Sequence, residues 1–480
     1  MAEGPTGIVS WGTYLPAWRL PRAAIGSALG VVSGRGTRTV ASHDEDTTTM
    51  AVEAGRQALA ALAGEAPRDL LFATPDPAYL DKTNASVVHS ALGLDPGAGA
   101  YDVAGSARSA VAAVRGAHGL VAPGHRTLAI ASDLRTGLPG SADERDGGDG
   151  AVALVLGSDP AAALVAHAAA STEFLDRWRT PGEAASRLWE ERFGEEVYLP
   201  LARRALDDAL AAADLKLDGV DHVVVAGLHA RATRQATRAL GVDADRLAPD
   251  LVTSAGNLGA AHPWLQLADV LDRAAPGQTI LVLVLADGAD AMVFATTGHL
   301  AGAQAARAEA GIPTVAGQVA AGREVDYVRM LTWRGQLRRE PPRRPDPERP
   351  GAPATWRSRG WRGGFEASRC QVCGFRHLPP TRVCLRCRAV DQMAPERLAD
   401  VPGRIATFTV DRLAYSLSPP VVGAVVDFDG GGRYRCELTD ADPDELAIGQ
   451  RVEMAFRRVS TAQGVHNYFW KAAPARGSET

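Results

Sequence analysis

The sequence predicts an α/β protein built from two similar halves, followed by a zinc ribbon and a small β-barrel. Three observations carry this. From residue 7 to about residue 300, apolar strand-like runs alternate with helical stretches, and the second half repeats the order of the first. All five cysteines fall in the last quarter of the chain, four of them as two C-x-x-C knuckles. Beyond Gly403 the chain breaks into short strand-like runs separated by turn residues.

At 480 residues, 46% hydrophobic and 22% charged, the chain has the composition of a globular protein of several domains. A net charge of −5 argues against nucleic acid and membrane surfaces as partners. The opening MAEGPTGIVSWG lacks the basic-then-apolar layout of a signal peptide, and the most apolar run, residues 279–286, is too short to span a bilayer. A cytoplasmic protein is expected.

Residues 7–15 (GIVSWGTYL) read as a strand closed by Pro16. In residues 41–61, Asp44, Glu45 and Asp46 precede a Thr run and apolar residues at helical spacing. The three acids are expected to cap that helix, where carboxylates meet unpaired N–H groups. Residues 70–74 (LLFAT) form a buried strand and residues 84–92 a helix. Residues 98–114 (AGAYDVAGSARSAVAAV) read as a strand end, a turn at Ala104, Gly105 and Ser106, then a helix with apolar positions at Ala107, Val111 and Val114. Such a turn exposes a side chain at the positive end of a helix dipole, which suits a nucleophile. Strands follow at 127–132, leading to Asp133, and at 150–156 after a Gly/Asp-rich hairpin.

The second half gives a helix at 198–212, a strand at 222–226 and a helix at 231–240. A glycine-rich turn at 254–261, a helix at 264–274 and strands at 279–286 and 291–295 complete it. The alternation predicts mainly parallel sheets. Residues 301–340 read as helical, with Tyr327 and Trp333 as anchors, and residues 338–360, rich in Pro and Arg, as a stiff linker.

Cys370-Gln-Val-Cys373 and Cys384-Leu-Arg-Cys387 are separated by ten residues. This spacing points to a tetrahedral Zn2+ site. Four thiolates leave no open position, so the metal is structural, and paired disulfides are disfavoured in a reducing compartment. Cys436 stands alone in a strand pattern and reads as core. The run VVGAVVDFDGGGRYRCELT places a hairpin turn at residues 427–432.

The first half resembles the 3-hydroxy-3-methylglutaryl-CoA (HMG-CoA) synthase and ketoacyl synthase III branch of the thiolase superfamily. Residues 7–16 are similar to its G-I-x-x-x-x-x-Y-x-P opening. Its pattern D-(I/L/V)-x-x-A-C-x-x-G, which carries the acyl-accepting cysteine, meets residues 102–110 with Ala107 at the cysteine position. Residues 1–369 contain no cysteine, so a shift of register does not restore one. The resemblance implies an active-site histidine at His229, in Gly227-Leu228-His229, and an oxyanion asparagine at Asn257, in Ser254-Ala-Gly-Asn257-Leu-Gly. His262 is a weaker candidate.

The family glutamate, in (A/G)-(T/S)-E-S, meets Ala73-Thr74-Pro75-Asp76, with Pro75 at its position and Asp76 one residue on. Arg179, in residues 176–181 (DRWRTP), resembles a D-x-x-R-P segment that lines the substrate site. Tyr198, Tyr79 and Ser106 complete the pocket candidates. The C-terminal part resembles the zinc-ribbon/OB proteins that accompany thiolase-like enzymes and bind acyl-CoA, here fused to the synthase-like part.

What the resemblance implies is a five-layered α-β-α-β-α thiolase fold. Its halves span 1–165 and 166–337, followed by the 338–360 linker, a ribbon at 361–400 and an OB-fold domain at 401–480. A homodimer through the thiolase-like part and a coenzyme A thioester as substrate are also implied. HMG-CoA synthase chemistry needs a cysteine to carry the acyl group and a glutamate to form the enolate. With both replaced, the expected function is acyl-CoA processing that makes or breaks a C–C bond without a cysteine acyl-enzyme, by aldol or retro-aldol chemistry or non-covalent acyl transfer. His229 and Asn257 then stabilise the enolate, and Tyr198, Asp76 or a histidine serves as base. The alternative is a non-catalytic acyl-CoA-binding scaffold in a thiolase/HMG-CoA synthase-type complex.

Overall fold

The computed structural model describes residues 4–343, 345 and 347–475. They form two compact units. One takes the chain up to Ala41, Glu53–Ser86 and Asp95–Tyr327; the other takes Ser42–Val52, Val87–Leu94 and the chain from Val328 onward.

The first unit is organised on a nine-stranded sheet. In spatial order its strands are His222–Gly227, Thr279–Leu285, Ala289–Thr296, Ala162–Ala170, Thr6–Tyr14, Asp149–Ser158, Thr127–Leu134, Asp69–Thr74 and Gly99–Ala104. The expectation of mainly parallel pairing is corrected here. Asp69–Thr74 runs parallel to Gly99–Ala104 and to Thr127–Leu134, and His222–Gly227 parallel to Thr279–Leu285. The remaining pairs are antiparallel. Connection length is the reason: the parallel strands are joined through helices, whereas the strands on either side of residues 286–288 turn straight back on each other.

Strand Ala162–Ala170 (AALVAHAAA) was not foreseen. Its alanine-rich sequence has weak strand preference, and pairing with Thr6–Tyr14 and Ala289–Thr296 overrides it.

Alternate residues of the strands enter different hydrophobic clusters, as a period-2 element sandwiched between two layers must. Ile280, Val282 and Val284 join Trp264, Leu267 and Leu271 of helix His262–Arg273 and Val111 and Val114 of helix Ser109–Gly119. Leu281, Leu283 and Leu285 join Ala202, Leu206 and Ala209 of helix Glu191–Ala212. That last helix begins earlier than its periodicity suggested and runs through Pro200. Residues 301–340 hold three short helices, Leu300–Glu309, Val315–Ala320 and Tyr327–Trp333, separated at Gly311, Pro313 and Gly322.

In the second unit the Pro/Arg-rich stretch ends in two short helices, Ala352–Arg357 and Arg359–Arg362, in place of an extended linker throughout. Strand Glu366–Cys370 pairs with Arg376–His377 and Met393–Arg397 to form the ribbon. A five-stranded sheet follows in the order Arg433–Glu437, Val421–Phe428, Gly403–Asp411, Arg451–Ala462 and Val465–Pro474. A bridge between Leu438 and Ala472 brings its two ends together into a barrel. The hairpin at 427–432 closes with Phe428 N–H on the Gly432 carbonyl.

The acids at 44–46 need a correction. Asp46 does cap its helix, accepting from Thr49 N–H at 2.9 Å, and Glu45 accepts from Ser42 N–H at 2.8 Å. Asp44 instead meets Lys471 Nζ at 2.9 Å and the Thr439 hydroxyl at 3.1 Å. Arg457 reaches Glu45 at 3.4 Å and Asp440 at 2.8 Å, and the Tyr468 hydroxyl donates to Asp46 at 2.8 Å. All three acids are buried, so the barrel's cations compensate charges that water cannot reach. Among the described residues no helix is long and apolar enough to cross a membrane.

Candidate functional site

A cavity of about 660 Å³ opens in the first unit at the C-terminal end of strand His222–Gly227. Parallel strands of α/β sheets place ligands at that end. His229 and Asn257 both line it, with His262, Asp176 and Arg177.

His229 is the N-cap of helix Ala230–Leu240, and its Nδ1 accepts the Ala232 backbone N–H at 3.0 Å. The neutral ring therefore carries its proton on Nε2, which is buried and has no hydrogen-bond partner among the described residues. Gly194 makes room for it, since a Cβ there would come within 2.6 Å of Nε2. Tyr198 packs beside the imidazole with ring centroids 5.7 Å apart. The Tyr198 hydroxyl donates to Asp176 Oδ2 at 3.1 Å and accepts from Asp287 N–H at 3.2 Å. Burial, reinforced by the Asp176 and Asp287 charges, pushes that phenol well above its ordinary range.

Asn257 Nδ2 donates to the Gly227 carbonyl at 2.8 Å, while its Oδ1 accepts Gly259 N–H at 3.0 Å. These bonds fix which end of the amide is nitrogen and use one of its two hydrogens, leaving the second to donate. His262 is a poorer candidate. Its Nδ1 accepts Leu258 N–H, and full burial lowers its pKa to about 4.

The other sequence candidates lie outside the lining of this cavity. Arg179 bonds the Pro75 carbonyl at 2.7 Å and pairs with Asp76 at 3.2 Å. It is Arg177, two residues earlier, that lines the cavity. Ser106 and Ala107 sit in the turn before helix Ser109–Gly119, where the Ser106 hydroxyl accepts Arg108 N–H at 3.3 Å and Ala107 packs against the core. Arg108 ties this turn to Asp290 at 2.8 Å and to the Asp287 carbonyl at 2.8 Å, close to where Tyr198 bonds. Tyr79 lies on a separate loop, its N–H held by Asn84 Oδ1.

One group escaped the sequence reading. Asp133 is the next-to-last residue of strand Thr127–Leu134 and is buried. Its Oδ2 accepts Ala260 N–H at 2.9 Å, in the turn that follows Asn257. Gly259 is required there: its φ is +55°, and a Cβ would fall 1.8 Å from Asp133 Oδ2. Asp133 Oδ1 has no hydrogen-bond partner among the described residues. Burial raises its pKa to about 6, against the pull of Arg135 at 3.7 Å. The signal was in the sequence as the TLAIASD run, but its meaning depends on which strand lies alongside.

In the second unit the sulfurs of Cys370, Cys373, Cys384 and Cys387 lie within 4.8 Å of one another, a set able to hold a metal ion.

Known proteins resemble this chain in sequence and fold. Residues 396–457 match the family described as "ChsH2, C-terminal OB-fold domain". The first unit has a mixed α/β thiolase-like fold. The solved structure of MvaS in complex with 3-hydroxy-3-methylglutaryl coenzyme A matches 82% of the chain and 99% of its own length, at a TM-score of 0.60 and 19% identity. The 3-oxoacyl-(acyl carrier protein) synthase III FabH from Pseudomonas aeruginosa PAO1 matches 61% of the chain at a TM-score of 0.55. In sequence, the hydroxymethylglutaryl-CoA synthase of Pyrobaculum neutrophilum is 30% identical over 350 residues, covering 70% of this chain and 99% of that protein. That of Methanopyrus kandleri is 30% identical over 310 residues, covering 61% and 88%. The chain belongs to the hydroxymethylglutaryl-CoA synthase family, with a C-terminal OB-fold domain added.

Proposed function

We propose that the first unit processes acyl-CoA thioesters by making or breaking a carbon–carbon bond without a cysteine acyl-enzyme, through aldol or retro-aldol chemistry. The observation that carries this is that His229, its Nε2–H without a hydrogen-bond partner among the described residues, and Asn257 line one cavity in a chain with no cysteine before residue 370. Desolvated donors held in place are what a developing enolate oxygen needs, and they cost stability when nothing occupies them. In the cleavage direction the β-hydroxyl loses its proton, the Cα–Cβ bond breaks, and the electron pair moves onto the thioester oxygen. His229 here is a donor and not a base, because its Nδ1 lone pair is already used by Ala232 N–H.

The reading assigns coenzyme A to the arginines of this cavity. Arg231, Arg234 and Arg238 follow one face of helix Ala230–Leu240, and Arg234 and Arg238 are exposed without an ion-pair partner among the described residues. Guanidinium groups of this kind suit phosphates. The four thiolates of the ribbon fit structural Zn2+, which would fold the knuckles and take no part in the chemistry. The reading extends to a cytoplasmic homodimer through the first unit, supported by edge strand Gly99–Ala104, which has no strand on its outer side among the described residues.

The test offers the zinc-replete protein a set of β-hydroxyacyl-CoA thioesters, with products followed by mass spectrometry and His229→Ala alongside. The expected result is a shorter acyl-CoA plus a carbonyl compound, reduced roughly 100-fold or more in the variant. Tight thioester binding without turnover by both proteins overturns the enzyme reading in favour of a scaffold.

A further inference from the structure

We propose that Asp133 is the catalytic base of the first unit, taking the β-hydroxyl proton of a β-hydroxyacyl thioester and returning it to the α-carbon. This rests on the retro-aldol reading above and names the group that reading leaves open.

The sheet register is the first argument. Asp69–Thr74 pairs in parallel with Thr127–Leu134, and Ala73 lies opposite Ala131. Continued by two residues, that register sets Pro75 level with Asp133, and residues level with each other on parallel neighbours face the same way. Pro75 offers no carboxyl group, so the neighbouring strand supplies one at the same height. The second argument is the turn after Asn257. Asp133 Oδ2 is clamped by Ala260 N–H within it, which places the carboxyl beside the residue that holds the oxyanion. Oδ1 is buried and has no hydrogen-bond partner among the described residues, two residues from Arg135, which lines the cavity, so a substrate hydroxyl reaches it once the site opens around the ligand.

The rivals are occupied. The Tyr198 hydroxyl donates to Asp176, Asp76 is paired with Arg179, and His229 Nδ1 takes a backbone N–H. The charges that bear on Asp133 are Arg135 at 3.7 Å and, farther off, Asp76 and Arg179. Burial outweighs them and raises its pKa to about 6, which suits a base working near neutrality.

The step balances within the substrate. The Asp133 carboxylate takes the hydroxyl proton, and the C–O− collapses to a carbonyl. The Cα–Cβ pair becomes the enolate held by His229 and Asn257, and the Asp133 carboxyl returns its proton to Cα. A β-hydroxyacyl thioester leaves as a carbonyl compound and a shorter acyl thioester, with no co-reactant.

Run in reverse, the same base removes an α-proton. The experiment therefore incubates the full-length, zinc-replete protein with acetyl-CoA and propionyl-CoA in deuterium oxide and follows α-hydrogen exchange by mass spectrometry across pH 4.5–8, with thioester binding measured by equilibrium dialysis. Wild type is expected to exchange, with a limb that rises through a pH of about 6. Asp133→Asn should lose at least ~100-fold of that rate while still binding thioester. Arg135→Gln should move the limb to higher pH, because it removes the cation nearest Asp133. Exchange by Asp133→Asn at the wild-type rate overturns the base and leaves the retro-aldol reading standing. If Asp133→Asn does not fold, an unmoved limb in Arg135→Gln overturns it equally. Absence of exchange in wild type overturns the reading itself, and the base with it.

Discussion

Asp44 in the second unit and Asp133 in the first are both fully buried aspartates, and the protein treats them in opposite ways. Around Asp44, Lys471, His43 and Arg457 overcome the cost of burial and hold the carboxyl far below its ordinary range. Ser42, Thr439 and Lys471 spend its oxygens. Around Asp133 burial wins, raising the pKa to about 6, and one oxygen is left without a partner. A buried carboxylate whose oxygens are all matched helps to specify structure, whereas a buried carboxyl oxygen left unmatched costs stability. The difference separates a carboxylate that holds the fold together from the one to which we assign a part in the reaction.

The largest test of this contrast removes one partner from the matched network. Lys471→Met leaves Asp44 and Glu437 without their shared ammonium and should cost about 3–5 kcal/mol in urea denaturation. A loss below ~1 kcal/mol would place Asp44 among weakly coupled surface charges.

A second test compares the two acids by pH. Unfolded aspartate titrates near 3.9. Asp44 is depressed, so its contribution is complete above that value and is lost as pH falls through its lower folded pKa, giving an acid-unfolding limb below about pH 4. Asp133 is raised, so between about pH 6 and 4 the folded state binds a proton the unfolded chain does not. Its contribution therefore grows as pH falls across that window. Asp133→Asn should remove that gain and leave the limb below pH 4, and denaturation midpoints against pH would show both.

The smallest effect is at the cavity mouth. Arg234→Ala and Arg238→Ala should each weaken acyl-CoA binding about two- to five-fold, less at high salt, with no change in stability. Titration calorimetry at two salt concentrations would read it.

How much of this was legible in the sequence depends on the range of the interaction. The four cysteines declare themselves by spacing, and strands such as Leu70–Thr74 by apolar runs; both are local. His229 and Asn257 could be singled out because a strand end and a glycine turn are local signals and a family resemblance gave them meaning, and the structure sets both on one cavity. Asp133 was hidden because the strand Asp69–Thr74 beside its own and the turn that holds Ala260 come together only in the folded sheet. Asp44 and Glu45 read as helix caps because their partners Arg457 and Lys471 lie at the far end of the chain. Arg179 was favoured over Arg177 for its place in a motif, whereas the short strand Arg177–Trp178 puts Arg177 on the cavity and Arg179 on Asp76.

The matched network also sets a clock. Arg458 follows Asp46 by 412 residues, yet the two pair at 3.5 Å. At roughly 5–20 residues per second on the ribosome, Asp44, Glu45 and Asp46 emerge about 20–80 seconds before the cations that will bury them. The C-terminal unit can close only after strand Val465–Pro474 has delivered Tyr468 and Lys471.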